Sequence, residues 1–157
     1  MTDQPIHRPN GFSEVTGEIC YDLPSAYIPH RATGLLHLAR FLGKIRKHLK
    51  GELPKSYQRN FCKGFDRFLC AHLDVTPEAV IQCVREAQDE ADLDARLLAL
   101  FPKDLLVHKW NRELVQKGMS EMGREALGNA KRLMGATERT DVISFADMID
   151  FDEGRIL

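Results

Sequence analysis

Apolar residues recur along this chain at three- and four-residue steps, and no stretch of any length alternates, so the pattern predicts helices and no strands. The clearest run is 34–50, where Leu35, Leu38, Leu42, Ile45 and Leu49 form one stripe. Thr33 stands where an N-cap is needed and Gly51 where a left-handed stop is needed. A second helix is predicted over 65–73 (Phe65, Phe68, Leu69, Leu73), set off from 57–63 by Gly64. Thr76-Pro77-Glu78 opens a third, with a capping hydroxyl, proline in the first turn and an acid beside it. It runs to about residue 88 with Val80, Ile81 and Val84 inward. The pattern then predicts 92–101, ended by Pro102; 105–117, capped by Asp104, carrying Leu106, Trp110 and Leu114 and stopped by Gly118; and 121–134, opened by Ser120 and stopped by Gly135.

The two ends read differently. Residues 1–31 are aperiodic and hold Pro5, Pro9, Pro24 and Pro29, the pattern of an extended arm pinned by Tyr21, Leu23, Tyr27 and Ile28. Residues 136–157 hold six acids, yet also Val142, Ile143, Phe145, Met148, Ile149 and Phe151. A disordered tail has no use for that much apolar surface. The pattern therefore predicts docking as a short helix over 142–151, capped by Thr140 or Ser144. The expected fold is all-α: a compact bundle of five to seven short helices. Its parts are an N-terminal arm (1–31), a helical domain (32–135) and an acidic C-terminal segment packed on that domain (136–157).

Composition sets the class. A chain of 157 residues, 43% hydrophobic and 29% charged, is that of one ordinary globular domain. No apolar run approaches the roughly 20 residues that cross a bilayer. Met1-Thr2-Asp3-Gln4-Pro5 has no basic start followed by an apolar stretch, so the expectation is a cytoplasmic protein. Cys20, Cys62, Cys70 and Cys83 form no C-x-x-C pair, and the six histidines form no H-E-x-x-H. The cysteines read as core residues, and no metal or cofactor is expected. Met119, Met122 and Met134 read as core fillers.

Charge changes the picture. Residues 30–67 hold ten Lys/Arg against Glu52 and Asp66, a local +8 in a chain whose net charge is −1, so the remainder carries −9. On the first helix, His37, Arg40, Lys44, Lys47 and His48 lie opposite the apolar stripe, and no acid occurs between 33 and 51. A solvated helix face ordinarily mixes acids and bases for pairing at four-residue spacing. The one-sided face predicts anion binding by Arg40, Lys44 and Lys47, with Arg67 joining. An architectural reading stands beside it: residues 138–157 carry −4 and residues 68–100 carry −5, and either could neutralise the basic helix from inside. Nucleic acid is disfavoured, since the isoelectric point is about 6.6 and no nucleic-acid-binding motif is present. Tyr57 and Phe61, interleaved with Lys55, Arg59 and Lys63, read more readily as core anchors than as a base-stacking platform. Tyr57, Asp66, His72 and Trp110 mark the best place for a pocket, because they include usable acids and bases.

The segment Gly34-Leu35-Leu36-His37-Leu38-Ala39-Arg40-Phe41-Leu42-Gly43-Lys44-Ile45-Arg46, followed by Gly51, resembles a bacterial family of unknown function, domain-of-unknown-function family 5069. That family's pattern is a glycine-rich start, then roughly L-x-R-x-x-D-K-x-R, a short gap and Gly. The resemblance continues through Gly64-Phe65-Asp66-Arg67-Phe68-Leu69 and returns at Trp110 and at Asp152-Glu153-Gly154-Arg155. Ala39 stands where the family has Pro, and Gly43 where it has Asp. The resemblance implies an all-helical cytosolic protein and supplies no activity. The residues lead to a non-catalytic helical module that binds an anionic small molecule or an acidic protein surface through the first helix. An enzyme acting on an anionic metabolite in the same region, and a subunit that assembles through exposed apolar residues, are the other readings.

Overall fold

A computed structural model describes residues 18–156. These residues are all-helical: α1 Leu38–Leu49, α2 Lys55–Gln58, α3 Phe65–Leu73, α4 Pro77–Glu86, α5 Glu90–Leu100, α6 Val107–Gln116, α7 Glu121–Leu133 and α8 Phe145–Asp152. The eight described helices include α2, a single turn that periodicity does not reveal. The part of the expected arm before residue 18 lies outside the described residues. From there to residue 31 the chain runs without a helix, through turns closed by Leu23 N to Cys20 O and Ile28 N to Ser25 O. Leu23 and Ala26 are buried, whereas Tyr21 and Ile28 face solvent.

Helix α1 is the central element, packed against α3 and α4, with α6 bridging α3 and α8. Its stripe of Leu38, Phe41, Leu42 and Ile45 joins Leu69 and Leu73 of α3, Val80 of α4, Leu97 of α5, Trp110 and Leu114 of α6 and Ala146 of α8 in the main core. A second apolar cluster forms where the C-terminal segment docks: Leu127 and Met134 meet Val142, Met148 and Phe151. Of the three methionines read as core fillers, Met134 is one, but Met122 is 84% exposed and Met119 lies at the surface.

Side-chain caps fix four helix starts. Thr76, Asp89, Ser120 and Ser144 accept bonds from the backbone N–H of Ala79, Asp92, Gly123 and Asp147 respectively, each satisfying a donor that the first turn leaves orphaned. Ser144, not Thr140, caps α8.

Two starts differ from expectation. Helix α1 begins at Leu38 rather than near residue 34, because Gly34 (φ 77°) and His37 (φ 70°) are left-handed. Thr33 instead closes a turn, its Oγ1 accepting from Leu35 N. Backbone groups just before α1 are taken up by side chains of α6. Asn111 accepts from Leu36 N and donates to Gly34 O, and the Trp110 indole N–H donates to Leu36 O at 2.9 Å. Likewise, α6 starts at Val107 because Leu106 is left-handed, and Asp104 accepts from Leu106 N in the turn before it.

Candidate functional site

The second face of α1 is buried along its first part and open at its end, where Lys47 is half-buried and His48 exposed. His37, Arg40 and Lys44 follow one another at three- and four-residue steps, and all three are buried, at 1%, 5% and 6% exposure. Glu153 after docked α8, Tyr57 of α2, the turn at Cys62 and the start of α3 surround these three residues. Each of the three meets an acid from a distant part of the chain.

Asp66, fully buried in the first turn of α3, is the centre of one group. Its Oδ1 accepts from His37 Nε2 at 2.6 Å, and its Oδ2 accepts from Lys44 Nζ at 2.7 Å and from Cys62 N at 2.9 Å. Burial pushes the carboxyl up, but the charge of Lys44 and the bond from His37 outweigh it and hold Asp66 below the usual carboxylate range. An ionised carboxylate accepts and does not donate, so the bridging proton sits on His37 Nε2. Burial depresses the imidazole, with Asp66 opposing, so His37 is neutral near pH 7. Its Nδ1 therefore carries a lone pair. That atom is buried and has no hydrogen-bond partner among the described residues. Burial also lowers the Lys44 amine, again with Asp66 opposing.

Glu153, just past α8, is the centre of the second group. Arg40 donates to both of its oxygens at 2.8 Å, Tyr57 donates to Oε2 at 2.6 Å, and Arg155 donates to Oε1. Burial pushes the Glu153 carboxyl up, but Arg40 and Tyr57 outweigh it and hold it low. The Tyr57 hydroxyl, buried and beside that carboxylate, is pushed up and stays protonated. It also accepts from Cys20 N at 3.0 Å, tying the N-terminal turn to the same group.

Both groups line a cavity of about 740 Å³, within the range of small-molecule sites. His37, Arg40, Lys44, Tyr57 and Glu153 form one wall. Phe65, Phe68, Phe145, Met148 and Ile149 supply an apolar lining, and Asn60, Lys63, Gln116, Lys117 and Ser120 are among the polar residues that complete it. Glu113 and Asp152 also face the space. Lys117 lies over the Phe68 ring at 4.0 Å, a cation–π contact. Among the described residues neither Lys63 nor Lys117 makes an ion pair.

Of the residues singled out from sequence, Arg40, Lys44 and Tyr57 line this cavity and Asp66 stands directly behind it. Lys47 sits apart, paired with Asp22 at 2.9 Å, and Arg67 is exposed. His72 and Trp110 do not line it. They pack on each other with ring centres 5.5 Å apart, and His72 Nε2 bonds Leu105 O. Phe61 packs on Phe41 and His48. Glu153, the partner of Arg40, was not singled out from sequence, and His37, the partner of Asp66, was named only as part of the basic face; both lie in segments that carry the family resemblance.

Acids from elsewhere in the chain neutralise part of the basic segment, one pair buried and the others at the surface. Glu153 takes Arg40, Glu90 takes Arg46, and Glu90 and Asp94 take Arg31. At Gly43, where the resemblance anticipates Asp, an added Cβ would lie 2.9 Å from Leu23 Cδ2. A side chain there must displace the turn that carries Leu23 and Pro24.

Among the described residues no helix is long and apolar enough to cross a membrane. No curated protein and no solved structure matches the chain. A family model does match, over residues 28–155, which take in Arg40, Asp66 and Glu153 together: the chain belongs to the domain of unknown function family DUF5069.

Proposed function

We propose that this protein binds a small molecule with an apolar body and an anionic head in the cavity between α1, α3, α6 and α8. The observation that carries the reading is the composition of the cavity wall. The aromatic and aliphatic lining is suited to an apolar body, while Lys63 and Lys117 are cations without an ion pair among the described residues. Arg40 and Lys44, the residues first read as the anion contacts, are already matched by Glu153 and Asp66. They shape and polarise the wall, and the two lysines take the head group. A concave site of this size favours a small molecule over an acidic protein surface.

The test uses the full chain and 1-anilinonaphthalene-8-sulfonate, a probe with an aromatic body and one fixed negative charge. Saturable binding at one site is expected, with emission that titrates to a plateau. Each exposed pair contributes about 0.2–1 kcal/mol, so Lys63→Glu with Lys117→Glu, which removes two attractions and adds two repulsions, weakens binding by about tenfold. Binding that does not saturate, or that the double variant leaves unchanged, refutes the reading.

A further inference from the structure

Helix α6 and its C-cap turn one face to the cavity: Glu113, Gln116 and Lys117, at three- and four-residue spacing, all line it. Glu113 and Lys117 stand in the order and at the spacing at which a glutamate and a lysine ordinarily pair along a helix. Here they do not close on each other. The Lys117 ammonium lies instead over the Phe68 ring at 4.0 Å, a contact that holds a cation without neutralising it. Glu113 is exposed and makes no ion pair among the described residues. The other two acids that face the space are not open in this way: Glu153 is held by Arg40, and Asp152 is buried. The rim therefore offers one open carboxylate and, one turn on, one open ammonium, with Lys63 as a second cation. Gly118 sets what lies next to them. Its backbone is left-handed at φ 103°, and a Cβ there would lie 3.2 Å from both the ring and the backbone nitrogen of Phe145. Without that Cβ, Phe145 N donates to Lys117 O at 2.9 Å. Two rings of the apolar lining, Phe68 and Phe145, thus lie beside the charged rim.

We propose that the ligand is a zwitterion, a free α-amino acid with an apolar side chain. The proposal rests on the cavity being the ligand site argued above, and it adds a second charge to that ligand. The carboxylate is the anionic head and is met by Lys117 with Lys63. The ammonium is met by Glu113. The side chain enters the apolar lining past Phe68 and Phe145. In an α-amino acid both charged groups sit on one carbon, so their partners on the protein must be neighbours. Positions four residues apart along a helix are neighbours, with Cβ atoms about 5–6 Å apart. A carboxylate only accepts hydrogen bonds and an ammonium only donates them, so the two ends of the rim also fix which way round the ligand lies. A purely anionic ligand would face Glu113 as a repulsion, and a purely cationic one would face two lysines. A ligand carrying both charges matches both ends.

The test is displacement of anilinonaphthalenesulfonate from the full chain at neutral pH and physiological salt. The competitors are phenylalanine; 3-phenylpropionate, which is the same molecule without the ammonium; and phenethylamine, which lacks the carboxylate. Phenylalanine is expected to displace the probe at a concentration about fivefold lower than either analogue, the upper end of what one exposed pair supplies. In Glu113→Gln that advantage over 3-phenylpropionate is expected to vanish. A merely structural role for Glu113 would weaken both ligands and preserve their ratio, and that outcome overturns the assignment of the ammonium to Glu113. The comparison of the three competitors needs only the wild type, so it decides even where the variant fails to fold. Phenylalanine that competes no better than 3-phenylpropionate in the wild type, with the probe bound, overturns the zwitterion and leaves the binding reading standing. Absence of saturable probe binding overturns the binding reading itself, and this inference with it.

Discussion

Glu153→Gln tests whether the C-terminal segment is held by charge as well as by apolar packing. Glu153 is 4% exposed and Arg40 5% exposed, and two parallel bonds of 2.8 Å join them. Glutamine preserves the shape and one acceptor oxygen but removes the charge, leaving a buried guanidinium without its counter-ion. Breaking a buried pair from one side costs about 3–5 kcal/mol. The retained acceptor, and Tyr57 as a donor that still finds it, place this case near the lower end, at about 3 kcal/mol. At roughly 2–4 °C per kcal/mol for a chain of this size, Tm falls by about 6–12 °C. Urea unfolding followed by circular dichroism measures the loss directly. The companion Arg40→Met removes the cation, and the double replacement of both residues by Met is expected to cost less than the two single changes together, by at least about 2 kcal/mol. A Glu153→Gln loss under about 1 kcal/mol, or strict additivity in the cycle, refutes the claim that this pair is desolvated and coupled.

Acid should weaken the fold in two stages. His37 has its folded value depressed below an ordinary 6.5, so its contribution is fully present above that pH and is lost as pH falls below it. Glu153 and Asp66, depressed from 4.5 and 3.8, add a second loss as pH falls through their folded values. Asp150 is raised by burial and opposes them as a single group. Urea midpoints measured from pH 8 to pH 3 should therefore decline, and His37→Asn should reduce the earlier stage without abolishing it, because burial depresses His30 as well; a midpoint flat to pH 4 contradicts the burial of these groups. Trp110→Phe strips the donor from Leu36 O, which no helix bond satisfies, and is expected to cost about 1–3 kcal/mol in the same assay; a change below 0.5 kcal/mol, on the order of a neutral surface substitution, counts against that role.

The sequence signals that proved legible are local ones. Thr76, Ser120 and Ser144 each cap a helix three residues upstream of the backbone donor they satisfy, and the stripe 38–42–45 needs only one helix to be seen. The docking of the tail was legible as well, because Val142, Met148 and Phe151 are costly to leave in water. What stayed hidden depends on partners far away in the chain. Arg40 and Lys44 look solvated on a helical projection, since a helix reports its own faces and not what covers them. Arg40 finds Glu153 at a separation of 113 residues. The residues preceding α1 were hidden for a different reason. Leu35, Leu36 and Leu38 continue a helical rhythm, but Trp110 and Asn111 of α6 supply side-chain bonds that replace helical ones, and Gly34 and His37 turn the backbone out of register. His37 was read by its charge class alone, so a residue that is neutral and buried was grouped with the surface cations.

The absence of acids on α1 was the correct anomaly, and its explanation lies inside the molecule. Counter-charges from Asp22, α3, α5 and the segment after α8 pair Arg31, Arg40, Lys44, Arg46 and Lys47, so part of the local excess of +8 is met within the chain. Burying Arg40, Lys44, Asp66 and Glu153 is nevertheless an expensive way to hold four helices together. Apolar residues of the same volume would pack the same space at equal or lower free energy, and docking by Met148 and Phe151 is already in place. The pairs converge on one cavity. Charge concentrated against an open space is what the binding reading proposed above asks for, a fixed polar wall beside an apolar lining, and the Arg40–Glu153 cycle and the anilinonaphthalenesulfonate titration test the pairing and the binding separately.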